Sequence, residues 1–133
     1  MLEGLLAYEA LRGPSSAVTR ARLRGQEYLL ERGLYRRKST GEVIDPAWAQ
    51  FTFPTRWQYD VLRGLDYLRT AGVRDARLAE AIALVEAKRD AGGRWPLEAP
   101  HPGDVHFELE GAPGEPSRWL TLRALRVLGW FRS

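Results

Sequence analysis

Pro116-Ser117-Arg118-Trp119-Leu120-Thr121-Leu122-Arg123-Ala124-Leu125-Arg126-Val127-Leu128-Gly129-Trp130-Phe131 carries the strongest helix signature in the chain. Ser117 supplies the hydroxyl of an N-cap. Apolar residues then recur on every side of the helical wheel, interrupted only by Arg118, Thr121, Arg123 and Arg126. A helix of this kind is normally enclosed by others. The sequence therefore predicts a buried helix from Arg118 to about Phe131, with Trp119 in the core.

Upstream, Pro54-Thr55-Arg56-Trp57 matches Pro116-Ser117-Arg118-Trp119, and Leu62-Arg63-Gly64-Leu65 matches Leu122-Arg123-Ala124-Leu125 after a two-residue gap. This upstream stretch predicts a second helix, more amphipathic and so differently exposed, N-capped by Thr55, with Trp57, Val61, Leu65 and Leu68 at helical spacing and Gly72 closing it. Leu2 to Arg12 is a further helix, stopped by Gly13-Pro14. Another runs from Ser16–Thr19 to about Arg32, and a fifth from about Asp75 to Lys88, before Gly92-Gly93. Arg22-Leu23 with Leu29-Leu30-Glu31 matches Arg77-Leu78 with Leu84-Val85-Glu86. The spacing of these echoes reads as helix-hairpin units repeating along the chain. Two long loops, 34–54 and 91–116, join them, each with a tryptophan (Trp48, Trp95) that argues for packing onto helices. Phe51-Thr52-Phe53 and Val105-His106-Phe107-Glu108-Leu109 are β-prone and are expected to pair as a small hairpin.

At 133 residues, with 44% hydrophobic and 11% aromatic residues, the chain has the composition of one folded domain, 1–133. It has no Cys, hence no disulfide framework and no thiolate for zinc or nucleophilic attack. The N-terminal stretch lacks the basic start and apolar run of a signal peptide. No apolar run nears the roughly 20 residues of a membrane span. A cytoplasmic protein is expected. The net charge of +3 is unevenly placed, with Arg20, Arg22, Arg24, Arg32, Arg36, Arg37 and Lys38 early, and Glu98, Asp104, Glu108, Glu110 and Glu115 late. No nucleic-acid motif accompanies the basic cluster, so no nucleic-acid partner is expected. A solvated face, or attraction between the two halves, explains the split.

Gly92-Gly93-Arg94-Trp95, placed after an outer helix in a helical repeat, resembles the α/α-toroid superfamily of squalene and terpene cyclases and protein prenyltransferases. In the cyclases a loop motif ending in Gly-x-Trp staples neighbouring repeats; here Lys88-Arg89-Asp90 stands where its Gln is expected. The resemblance covers most of the chain as repeat architecture and implies an all-α partial toroid arc, with a short hairpin in its loops. The superfamily's chemistry is not implied: there is no Asp-x-Asp-Asp run for substrate protonation, and no Cys for a prenyltransferase zinc site. No catalytic residue, cofactor or metal is therefore assigned.

Several residues remain candidates for binding. His106 and Glu108, with His101 nearby, could hold zinc if the strand is extended, or simply form a polar loop face. Asp60 could be a cavity acid of raised pKa, or a first-turn carboxylate held by the helix dipole. Trp57, Tyr59, Trp95, Trp119 and Trp130 could line an apolar pocket for an isoprenoid-like molecule, or act as packing anchors. Arg56 and Arg118 sit where a helix N-terminus disfavours cations, which points to a partner, either a loop carboxylate (Glu108 or Glu110) or a phosphorylated ligand. Three functions follow: a toroid-like domain without self-contained catalysis, either a truncated protein or one part of a larger assembly; a protein handling an apolar small molecule; or a protein-interaction scaffold. Neither terminal helix reads as a polar cap, so self-association, most simply as a two-fold dimer, is expected.

Overall fold

The computed structural model describes residues 1–99, 103 and 105–133. Five α-helices carry the fold among them: α1 (Leu2–Arg12), α2 (Ser16–Glu31), α3 (Val61–Ala71), α4 (Ala79–Ala87) and α5 (Arg118–Arg132). Short 3-10 turns occupy Pro46–Ala49 and Ala76–Leu78. Two strands of two residues, β1 (Trp95–Pro96) and β2 (Pro116–Ser117), pair antiparallel with Trp95 opposite Ser117.

Local chemistry explains most of the boundaries. α1 stops at Gly13, whose N–H still reaches the Glu9 carbonyl, and Pro14 prevents continuation. Ser117 caps α5 as expected, its Oγ accepting the Leu120 N–H at 3.1 Å. α3 starts later than its sequence predicts. Thr55 is not its cap: Arg56 takes φ 47, in the left-handed region a helix cannot use. Asp60 caps α3 instead, accepting the Arg63 N–H at 2.8 Å, so Trp57 lies outside the helix and is 77% exposed.

α1, α3 and α5 run parallel in one layer. Near their N-terminal ends Glu3 pairs with Arg63 at 2.8 Å, and Phe53, before α3, stacks on Trp119 of α5 with centroids 5.2 Å apart. Midway Asp66 meets Arg123, and at the far end Arg74 donates to the Ser133 carbonyl. α2 returns antiparallel to α1: Thr19 and Arg22 hold Glu9, while Gly25 lies against Leu2. α4 packs against both α3 and α5. The core is built mainly from α3, α4 and α5, with Phe51, Trp95 and Leu97 from the loops.

Trp95 is the largest fully buried side chain. Its indole Nε1 donates to the Val85 carbonyl at 2.7 Å and its backbone N–H to Thr121 Oγ1 at 3.0 Å. This one residue ties the second long loop to α4 and α5. Trp119 is not core: it is 42% exposed, and Leu122 and Leu125 are exposed too. Leu120, Ala124, Val127 and Leu128 make the buried face of α5. The helix is one-sided: Trp119, Leu122 and Leu125 meet solvent, while Trp130 and Phe131 are partly buried against the core.

The expected hairpin between Phe51–Phe53 and Val105–Leu109 does not form. Phe51 exchanges hydrogen bonds with Glu98 instead: its carbonyl accepts the Glu98 N–H at 3.1 Å, and its N–H reaches Glu98 Oε2 at 2.6 Å. Among the described residues the two halves of the charge pattern do not pair with each other either. Arg22 pairs with Glu9, Arg36 with Glu80 and Lys38 with Glu31, while Glu98 pairs with Lys88. Among the described residues no helix is long and apolar enough to cross a membrane.

Candidate functional site

The N-terminal ends of α3 and α5, with the loops that enter them, gather most of the sequence candidates, but into separate clefts. A cleft of about 750 Å³ lies under the Val105–Pro113 loop. Arg56, His106 and Glu108 all line it, beside Phe53, Leu97 and Phe107. Val105, Phe107 and Leu109 are exposed on this loop, which bends rather than running as a strand. His106, Glu108 and Glu110 are therefore not aligned by β alternation. Among the described residues no three His, Asp or Glu side chains are grouped to hold a metal ion; His101 and Asp104 lie outside the described residues.

Glu110 does not pair with either candidate arginine. Its Oε1 accepts the Trp119 N–H at 3.3 Å, one of the donors that a helix N-terminus leaves open. Arg118 is exposed on the first turn of α5 and lines none of the three clefts that hold the other candidates. Trp57 and Tyr59 border a second cleft, of about 280 Å³, with Leu2, Leu29 and Tyr67. The tryptophans thus do not converge: Trp95 is sealed in the core, Trp57 is exposed, and Trp130 sits edge-on to Phe131.

Asp60 is the most enclosed of the candidate side chains that border a cleft. It is 2% exposed, and burial pushes its carboxyl above the ordinary 3.8. Backbone N–H groups of Arg63 and Thr52 and the charges of Arg123 and Arg63 oppose that shift. Tyr59 beside it is largely buried, its phenol raised by burial and by the Asp60 charge. The Tyr59 hydroxyl donates to the Leu34 carbonyl at 2.9 Å, and its ring meets Trp48 edge-on at 5.0 Å. Together these residues border a third cleft of about 290 Å³, shared with Asp45, Gln50, Thr52 and Gln58.

Comparison with known protein families, curated proteins and solved structures finds no match for this chain. Its own geometry carries the functional argument. The sequence pointed to Asp60 and Tyr59 but not to Trp48, Gln50, Thr52 and Gln58, which complete the third cleft. One signal for them was present: Asp45-Pro46 starts a capped turn, Asp45 Oδ1 accepting the Ala47 N–H at 2.9 Å. That turn delivers Trp48 onto Tyr59.

Proposed function

We propose that this chain is an open arc of an α/α-toroid, of the kind found in terpene cyclases and prenyltransferases, and that it works as an assembly module. Copies join head to tail, the α5 edge of one receiving the α1 edge of the next. The parallel layer of α1, α3 and α5, backed by α2 and α4, supports the arc.

A single comparison carries the assembly reading. The sequence sets Leu62-Arg63-Gly64-Leu65 of α3 beside Leu122-Arg123-Ala124-Leu125 of α5. Leu62 and Leu65 are fully buried, on the side of α3 whose Asp66 meets α5. Their counterparts Leu122 and Leu125 are exposed. The same apolar edge is thus covered on α3 and open on α5, as in a repeat protein whose next unit is missing. At the other edge, Gly4, Tyr8 and Leu11 share one face of α1, and Leu11 is 84% exposed. A two-fold α5–α5 contact centred on Leu122 would set Arg118 against Arg126 of the second copy, like charge on like. The head-to-tail contact avoids this and can close a ring or extend a chain.

Sedimentation velocity distinguishes the arrangements. Leu11→Glu and Leu125→Glu should each be monomeric alone, whereas wild type self-associates at micromolar concentration. Mixed, the two variants should form a heterodimer, because each retains the edge the other lacks. A monomeric wild type, or a mixture that stays monomeric, would remove the head-to-tail arc.

A further inference from the structure

The cleft before α3 differs in chemistry from the rest of the surface, and it is independent of the assembly edges. Asp45, Gln50, Thr52, Gln58 and Asp60 supply its polar lining, with Trp48 and Tyr59 as aromatic walls. Among the described residues no Lys, Arg or large aliphatic side chain lines it. An organic anion would meet two carboxylates. An apolar molecule would bury amides and carboxylates without partners, at a cost of about 1–3 kcal/mol for each group. The Gln50 and Gln58 side-chain amides make no hydrogen bond within the described residues, and Asp45 spends one oxygen on the Ala47 N–H.

Thr52 adds an observation of another kind. It is 4% exposed, and its Oγ1 is the one buried side-chain polar atom among the described residues without a hydrogen-bond partner. Buried polar groups are nearly always satisfied, and an exception calls for an explanation. Thr52 lines this cleft, where a hydroxyl-bearing occupant would supply the missing partner. Asp60, equally enclosed, offers carboxylate lone pairs beyond those taken by the backbone.

We propose that this cleft binds a small neutral polyol, of the size of one sugar ring, between Trp48 and the Gln50, Thr52, Gln58 and Asp60 side chains. A sugar fits each feature. Its C–H face covers an indole, its hydroxyls both donate to carboxylates and exchange hydrogen bonds with amides, and it carries no charge for Asp45 and Asp60 to repel. A volume of about 290 Å³ lies at the small end of ligand sites, which excludes longer oligosaccharides from full enclosure. Specificity would follow from hydroxyl satisfaction, because an analogue lacking the matching hydroxyl leaves a buried group unpaired.

Indole and side-chain amide NMR signals of the intact protein test this, with D-glucose, D-mannose and myo-inositol as probes. Trp48→Phe assigns the Trp48 indole. Saturable shifts are expected at Trp48, Gln50 and Gln58 with at least one probe, while the Trp95 and Trp130 indoles stay still. Thr52→Val keeps the shape and removes the orphaned hydroxyl, so the fold should hold while affinity falls tenfold or more. Gln58→Ala, away from the core, should weaken binding comparably. Glucuronate should bind more weakly than glucose, through repulsion by the two carboxylates. The proposal is overturned if no probe gives a saturable shift, if shifts spread evenly over all tryptophans, if Thr52→Val and Gln58→Ala both bind as wild type, or if only charged analogues bind.

Discussion

Asp60 concentrates several constraints in one side chain: it caps α3, it is buried, and it borders the polar cleft. Its titration runs against that of the surface carboxylates. Glu3, Glu27, Glu80 and Asp75 are held low chiefly by hydrogen bonds from Arg63, Arg77, Arg36 and Arg77, with Asp75 reaching about 2, and Glu9 chiefly by the Thr19 hydroxyl. Their folded pKa values lie below the unfolded ones, so their stabilising effect is present above the ordinary carboxylate range and is lost as pH falls through the folded values. Asp60 is protonated in both states well below 3.8. As pH rises the unfolded chain releases this proton first, so the folded state loses stability progressively until its own higher pKa has been passed, and the loss persists above it. Asparagine caps helices as well as aspartate does, so Asp60→Asn removes the ionisation and keeps the cap. The stability of the variant minus that of wild type should therefore rise between about pH 3 and pH 7, measured by urea denaturation. A gap that is flat or falls with pH would show that burial does not govern this group. The sequence made Asp60 a candidate, but placed it one turn inside a helix. Thr55-Arg56-Trp57 copies Ser117-Arg118-Trp119 in residue type, and only the left-handed φ of Arg56 separates them.

Among the elements, those bounded by strong chemistry were legible. Gly13-Pro14 ends α1, Ser117 starts α5, and Gly72 closes α3 in the left-handed conformation. The strand pair was not legible, since each strand is two residues long and pairs proline with proline, leaving no alternation to detect. The burial of Trp95 fixes that pairing, and burial is a tertiary fact. The exposed face of α5 was hidden for a similar reason. Its leucines look equivalent in sequence, and only the placement of α3 and α4 decides which of them are covered. Glycines in helices show the same dependence on neighbours. A Cβ at Gly4 of α1 would meet nothing within 4 Å, whereas at Gly64 of α3 it would stand 2.7 Å from the Tyr59 Oη. That hydroxyl is tied to the Leu34 carbonyl and has little room to yield. Gly4→Ala should stabilise by roughly 0.5–1 kcal/mol through helix propensity. Gly64→Ala should destabilise by about 1–2 kcal/mol despite the same propensity gain, because overpacking dominates. Thermal melts of the two variants moving in the same direction would contradict the packing of Tyr59 on α3.

The molecule as a whole is unevenly consolidated. Five helices form, as the sequence predicts, yet the hydrophobic core is not shared equally among them. α1 buries no residue and α2 buries only Gln26 and Leu30, against six buried residues in α3. Much of what joins the first hairpin to the remainder is polar. Glu3 pairs with Arg63, Glu27 with Arg77 and Arg36 with Glu80, each pair at least partly exposed. The Tyr67 hydroxyl donates to Gln26 Oε1 at 2.7 Å in a buried position. Exposed ion pairs contribute about 0–1 kcal/mol each and weaken with salt, so this hairpin should open at lower free energy than the α3–α4–α5 body. Two probes weigh the parts differently. Far-UV circular dichroism reports every helix, α1 and α2 with their 11 and 16 residues included. Tryptophan fluorescence follows the α3–α4–α5 body once Trp57, which borders a cleft with Leu2 and Leu29, is replaced by Phe, because Trp48, Trp95, Trp119 and Trp130 lie on α5 or pack against the core. Urea unfolding of protein kept dilute enough to be monomeric should therefore show the circular dichroism transition beginning before the fluorescence transition. The gap should widen in about 1 M NaCl, where the Debye length falls to roughly 3 Å. Lack of coincidence between probes is the ordinary sign of departure from two-state unfolding. If the two curves superimpose at both salt concentrations, the first hairpin is as firmly held as the core, and Leu2, Leu6 and Leu29 must contribute far more than their partial burial indicates.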